Sequence, residues 1–201
     1  MTTPGPAAHA ALLAQRHGHL CPWWLGWALA SPIRRLLDDP VALSRAFLAP
    51  GDRVLELGPG PGFFTIAMAE WVGPGGKVVC VDVQQRMLDQ VARRAARRGL
   101  SERVVTRGCS PDGGLPDLGA AVDKAVLIHV LHEVPDPRAT LAAVRRALKP
   151  GGRLLLVEPK GHCSPALFAA ELWAAEQAGF SPAPEGIPAA LGKRQAAVLG
   201  C

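Results

Sequence analysis

The chain has no tyrosine, and aromatic residues make up only 5% of its 201 positions. A single-stranded nucleic-acid surface built on stacked rings would have little to work with. The five cysteines include no Cys-x-x-Cys pair and no zinc-like Cys/His spacing, which excludes a zinc ribbon and a disulfide framework. Such thiols read as reduced, in a cytoplasmic protein. No apolar run is long enough to span a bilayer. Leu20–Leu29 lies behind Arg16, His17 and His19, and Ala28-Leu29-Ala30 mimics a cleavage site. Pro22 interrupts that run early, so it is not read as a secretion signal. Internal repeats and long low-complexity stretches are absent as well.

What is present is a globular composition, 49% hydrophobic and 19% charged, of a length that suits one domain with a real core. The net charge of +5 comes largely from short arginine groups such as Arg93, Arg94, Arg97 and Arg98. Their helical spacing between small apolar residues reads as a solvated helix face rather than a nucleic-acid stripe. Three of the five tryptophans, Trp23, Trp24 and Trp27, sit together near the start.

Residues 1–18, rich in Ala, Pro, Gly and His, are expected to fray. Three short helices follow, over about Trp23–Ala30, after Ser31-Pro32, and after Asp39-Pro40 up to the stop at Pro50-Gly51. Strands at Val54–Leu57, Lys77–Val81, Arg103–Thr106, Lys124–Val130 and Arg153–Val157 then alternate with helices. Those helices cover Phe63–Val72, about Gln84–Arg98, and a segment opened by Asp136-Pro137 and closed by Lys149-Pro150-Gly151-Gly152. A last helix runs from Ser164-Pro165 to about Ala178, and a weak strand around Gln195–Leu199 would close the sheet. Such alternation implies parallel pairing through right-handed crossovers, hence an α/β, doubly wound, Rossmann-like sheet. Residues 1–49 would form a helical leader or lid packed on a core of residues 50–201.

The strongest local signal is Glu56-Leu57-Gly58-Pro59-Gly60-Pro61-Gly62, between a strand and a helix. The glycines let the backbone turn tightly against a ligand, and the helix start favours an anion such as a cofactor carboxylate. Alone, this is a turn. Asp82 ends the next strand, where a carboxylate can accept two hydrogen bonds from a ribose diol. Alone, it would cap the following helix. Together they indicate an adenosyl-type cofactor. The spacing is Gly-x-Gly-x-Gly rather than the dinucleotide Gly-x-Gly-x-x-Gly, and no Gly-Lys-Ser/Thr ending is present.

Val54 to Gly62 resembles the first motif of the class I S-adenosylmethionine-dependent methyltransferases. Val79-Cys80-Val81-Asp82, followed by Met87-Leu88, resembles their acidic-strand motif, and Leu148 to Pro159 their late turn and strand. The likeness covers about residues 50–160, with three separated motifs in order. The leader, Cys21-Pro22-Trp23-Trp24, is similar to that of short bacterial members. The resemblance implies seven strands with the last antiparallel, and S-adenosylmethionine lying across the carboxyl edge. It implies Glu56, Gly58, Gly60 and Gly62 around the methionine and ribose, Asp82 on the ribose hydroxyls and Val83 beside the adenine. The family's acid after the third strand is replaced by Gly108-Cys109-Ser110-Pro111-Asp112, so Cys109 or Ser110 takes that place and Asp112 is displaced.

His129, His132 and Glu133 follow the fourth strand. One reading makes His132 or Glu133 the base for the acceptor's proton; the other has all three order the loop and line the methionine end, with His129 against the cofactor. Trp23, Trp24 and Trp27 would roof the acceptor pocket, or else serve as core or as a homodimer contact. No metal is expected. Cys21, Cys109 and Cys163 read as structural thiols, with an arsenite-type metalloid site as the rival. No large insertion separates the late elements, and the Asn/Asp-Pro-Pro-aromatic motif of base-methylating enzymes is missing. The expected activity is methyl transfer to a small molecule, without membrane or nucleic-acid partners. A non-turnover cofactor-binding module and an enzyme using the cofactor for other chemistry are the alternatives.

Overall fold

The computed structural model describes residues 5–14, 39–110, 114–191 and 194–201. The expectations placed on Cys21, Trp23, Trp24, Trp27, Asp112 and the two helices between residues 23 and 37 lie outside these residues.

Seven strands form one sheet: β1 (Arg53–Leu57), β2 (Lys77–Asp82), β3 (Val104–Gly108), β4 (Val122–Ile128), β5 (Leu148–Glu158), β6 (Ser181–Pro182) and β7 (Gln195–Gly200). Their order is β3-β2-β1-β4-β5-β7-β6. The first five are parallel, and β7 runs antiparallel to both β5 and β6. Strand order reverses between β1 and β4, and the crevice outside the carboxyl ends at such a reversal is where open α/β sheets bind ligands.

Among the described residues six helices cover the sheet: α1 (Pro6–Ala14), α2 (Pro40–Phe47), α3 (Phe63–Val72), α4 (Gln85–Arg97), α5 (Pro137–Ala147) and α6 (Pro165–Gln177). Alternation along the strands decides the layers. Val54, Val78, Val126 and Leu155 face α2, α3 and α4, while Leu55, Val79, Leu127 and Leu154 face α1, α5 and α6. Both faces are covered, so the strands are apolar almost throughout, as buried parallel strands must be.

The start signals act as expected. Asp39 Oδ1 accepts from the N–H of Val41 at 2.9 Å and of Ala42 at 3.0 Å, with Pro40 as the first helical residue. Asp136 does the same for Arg138 and Ala139, and Ser164 Oγ accepts from Leu167 N–H at 3.1 Å.

Three expectations need correction. The start of the chain does not fray throughout, because α1 buries His9 and Leu13 against α6. These residues stand four apart on one helix face, and the His9 ring lies 5.7 Å from Trp173. Lys149–Gly152 does not separate helix from strand, since β5 begins at Leu148 and the four residues bulge between the pairs Val122–Leu148 and Lys124–Arg153. Arg94 does not belong to the solvated face; it is half-buried and donates to the carbonyl of Pro61 at 3.1 Å. Arg93, Arg97 and Arg98 are exposed as expected.

Candidate active site

The first wall of the crevice is the glycine loop. Gly58 has φ +65°, and a Cβ there would stand 2.5 Å from Cγ2 of Val130. Only glycine lets the loop lie against the segment that follows β4. Gly60 has φ +53° with nothing within 4 Å of the Cβ position, so the loop presents backbone to open space there. Gly58 N–H donates to the carbonyl of Val81 at 2.9 Å, which fixes the loop to the end of β2. Gly62 occupies the cap position of α3 in a left-handed conformation and has no side chain to close that terminus.

Asp82 stands beside this loop. One carboxyl oxygen accepts from Gln84 N–H at 2.9 Å, and the backbone of Val83 and Gly60 also favours its charged form. Burial outweighs these bonds and, with the nearby charge of Glu133, holds the carboxyl at a pKa of about 6. The bond from Gln84 N–H closes the turn ahead of α4, whose own cap residue, Gln84, makes no side-chain cap bond. Val83 follows it, half-buried. Cys109 N–H donates to the carbonyl of Asp82 at 3.1 Å, so the turn after β3 adjoins the same edge. Cys109 is half-buried, and Ser110 is exposed with its hydroxyl and N–H both directed at the carbonyl of Gly114.

Glu56 lies deeper. Its Oε2 accepts from the Thr65 hydroxyl at 2.5 Å and from the Cys80 thiol at 3.5 Å, both within the core under α3. Burial without a cation pushes this carboxyl up to about 7, against the lowering effect of those two bonds.

The second wall follows β4. His129 has φ +58°, a left-handed conformation that costs a non-glycine residue about 1 kcal/mol or more. Its N–H donates to the carbonyl of Val157 at 2.8 Å, which holds the sharp exit from the strand. The chain then makes one 3₁₀ turn, Leu131–Glu133. His132 Nδ1 contacts Glu158 Oε2 at 2.5 Å, and Glu158 Oε1 accepts from Leu131 N–H at 2.9 Å. An ionised carboxylate can only accept, so Nδ1 carries the proton and Nε2 of the neutral ring is left as the basic atom. Nε2 lies 3.9 Å from Glu133 Oε1, and the ring stacks on His162 at 6.1 Å between centroids. The His132 side chain is 13% exposed. Burial alone would lower its pKa; the hydrogen bond and charge of Glu158, with Glu133 and Glu171, raise it instead.

The fold thus brings Gly58, Gly60, Gly62, Asp82, Val83 and Cys109 to one side of the crevice. His129, His132 and Glu133 stand on the other. Glu56 sits beneath, among core groups. Cys163, read from sequence as a structural thiol, is fully buried, its sulfur 3.7 Å from the carbonyl of Ser164 and 3.8 Å from Glu171 Oε2. Glu158 was not singled out from sequence, although it ends β5 as Asp82 ends β2. The pairing of Ile128 with Val157 puts it beside the exit of β4. Among the described residues no helix is long and apolar enough to cross a membrane.

Over 128 residues the chain is 38% identical to the nocamycin O-methyltransferase of Saccharothrix syringae, a match covering 63% of this chain and 42% of that one. The chain spans half or less of the length of the curated relatives it matches. Its fold is similar to a SAM-dependent methyltransferase from Aquifex aeolicus, with TM-score 0.74, 24% identity, and 90% of this chain and 98% of that one covered. It is also similar to the [4+2]-cyclase SpnF, with TM-score 0.61, 26% identity, and 87% and 69% covered. A methyltransferase-domain model matches residues 48–181, from the end of the leader to β6. The chain belongs to that methyltransferase family, which implies S-adenosylmethionine as its methyl donor.

Proposed function

We propose that the chain transfers a methyl group from S-adenosylmethionine to a small-molecule acceptor, with His132 as the base that takes the acceptor's proton. The single observation that carries this reading is the His132–Glu158 contact, which turns the basic nitrogen away from the carboxylate on a turn packed against the glycine loop. The nocamycin enzyme among the relatives supports a small-molecule acceptor.

The residues fit the donor. Gly60 leaves open space that a Cβ would fill, and the carboxyl of Asp82 would accept from a ribose diol. Gly58 and Gly62 would shape the loop around the methionine end, and Val83 and Cys109 would border the adenine. The donor, when bound, supplies an electrophilic methyl group on a sulfonium. His132 would hold the acceptor's proton at Nε2, and Glu158 would keep the ring in its orientation. Positioning supplies much of the remaining acceleration in such a displacement. Trp23, Trp24 and Trp27 would roof the acceptor, and a cytoplasmic location belongs to the same reading.

The test incubates the purified chain with methyl-labelled S-adenosylmethionine and small-molecule extracts, and follows the label by mass spectrometry. A labelled new compound is expected. Cofactor bound but never consumed would leave a binding module, and consumption without a methylated product would point to other chemistry. Replacing Trp23, Trp24 and Trp27 together by Ala should leave cofactor binding measurable and abolish transfer; full activity in that variant would refute the roof.

A further inference from the structure

Behind the His132–Glu158 pair lies a second buried layer. Glu158, Cys163 and Glu171 are all buried, and one donor atom from each lies within 4.8 Å of the others. The Cys163 thiol lies 3.8 Å from Glu171 Oε2 and 3.7 Å from the carbonyl of Ser164, and Gln195 Nε2 donates to the carbonyl of Cys163 at 2.8 Å, tying this loop to β7. The layer is thus held from α6, the β5–α6 loop and β7 at once.

We propose that Glu171, supported by the Cys163 thiol, is a positioning residue that acts through Glu158 to set how firmly His132 holds a proton. It thereby suits the site to a neutral, weakly acidic acceptor such as a phenol, an enol or a carbon acid. This rests on the reading of His132 as the base. Two carboxyl groups this close in a dry space do not both ionise without a cation beside them. His132 becomes that cation only when it takes up a proton, so the second acid and the ring's proton are coupled. The groups that face it are Glu133 from its own turn, Glu158 from β5, His162 from the following loop and Glu171 from α6. Glu133 and His162 meet solvent, which screens them; Glu158 and Glu171 do not.

The proton balance is simple. The acceptor's O–H or C–H bond breaks, an N–H bond forms at Nε2, and the electron pair stays on the acceptor atom. The new positive charge is met by Glu158, which is already in contact with the ring. A carboxylate acceptor is anionic at neutral pH and has no need of such a base, whereas a phenol or enol does.

The test uses the full chain with ¹⁵N-labelled histidine and follows the His132 ring by NMR against pH, without cofactor or acceptor. Glu158→Gln should lower the titration midpoint by about one to three pH units, and Glu171→Gln by about half to one. Cys163→Ala removes the donor that favours charged Glu171 and should lower it by a smaller, measurable step. A midpoint unchanged or raised in folded Glu171→Gln overturns the proposal. Should that variant not fold, an unchanged midpoint in Cys163→Ala does the same. A label found on oxygen or carbon of a weakly acidic group supports the acceptor class, and a methylated carboxylate overturns it. The titration needs no turnover, so failure of the base reading shows separately, as full methyl transfer by His132→Gln.

Discussion

Two glutamates sit in the sheet in similar depth and come to opposite ends. Glu56, on β1, is buried under α3 beside a cysteine, and its donors are a hydroxyl and a thiol. Glu158, on β5, is buried under α6 near another cysteine, and its donors are a backbone N–H and an imidazole. The neutral surroundings of Glu56 raise its pKa to about 7 and leave an acid closed within the core. The imidazole beside Glu158 is 13% exposed at the crevice, so its charge has a route to a ligand. Burial and residue type are shared; the partner decides whether the acid can take part in chemistry.

The largest expected effect breaks the two apart directly. His132→Gln should lower turnover by roughly 10²–10⁴ with cofactor affinity nearly unchanged, the usual size of a general-base effect. Glu56→Gln should change turnover by only a few-fold, and steady-state kinetics on both variants checks the contrast.

The next effect is on stability. From its usual 4.5 the Glu56 carboxyl is raised to about 7, so the folded chain keeps a proton that the unfolded chain releases in this window. Stability therefore falls as pH rises through it, by about 3 kcal/mol at most. Asp82, raised from 3.8 to about 6, acts in the same direction over its own window. So does His132, whose raised pKa favours the fold at low pH and loses that contribution as pH rises. Glu56→Gln should raise the melting temperature at pH 8 and leave it unchanged near pH 4.5. Melts of the wild-type chain that do not vary with pH would show that Glu56 ionises as freely folded as unfolded.

Asp82→Ala should weaken S-adenosylmethionine binding by about 1.5–3 kcal/mol, the range for hydrogen bonds to a charged group. Glu56→Gln should weaken it less, because its Oε2 is already engaged by Thr65 and Cys80. Calorimetry giving equal losses would return Glu56 to the cofactor contacts. The smallest effect belongs to Glu133→Gln. This carboxylate, 22% exposed and 3.9 Å from Nε2, should change turnover less than tenfold, as partly solvated ion pairs are worth about 0–1 kcal/mol. A loss equal to that of His132→Gln would make Glu133 the base.

Much of this was legible in the chain itself. Alternation of strand and helix, three Asp/Ser-Pro helix starts and the glycine run between β1 and α3 are local signals, each written in a few adjacent residues. They fixed the doubly wound sheet, the placement of Asp82 and the crevice at its edge. What stayed hidden depends on residues far apart in sequence. Glu158 meets His132 only because β5 pairs with β4. Cys163 points inward because α6 brings Glu171 to it, and α1 persists because α6 offers Trp173 to His9.

By itself, then, the sequence determined the order of the elements, the glycine turn between β1 and α3, and the family. Backbone propensity, capping and strand periodicity are properties of neighbouring residues, and they need no knowledge of the rest. Only the tertiary structure decided which acid would be closed in the core and which would back a histidine. That choice rests on the desolvation each carboxyl suffers and the donor it finds. Both are set by the packing of α3 and α6 on opposite faces of one sheet.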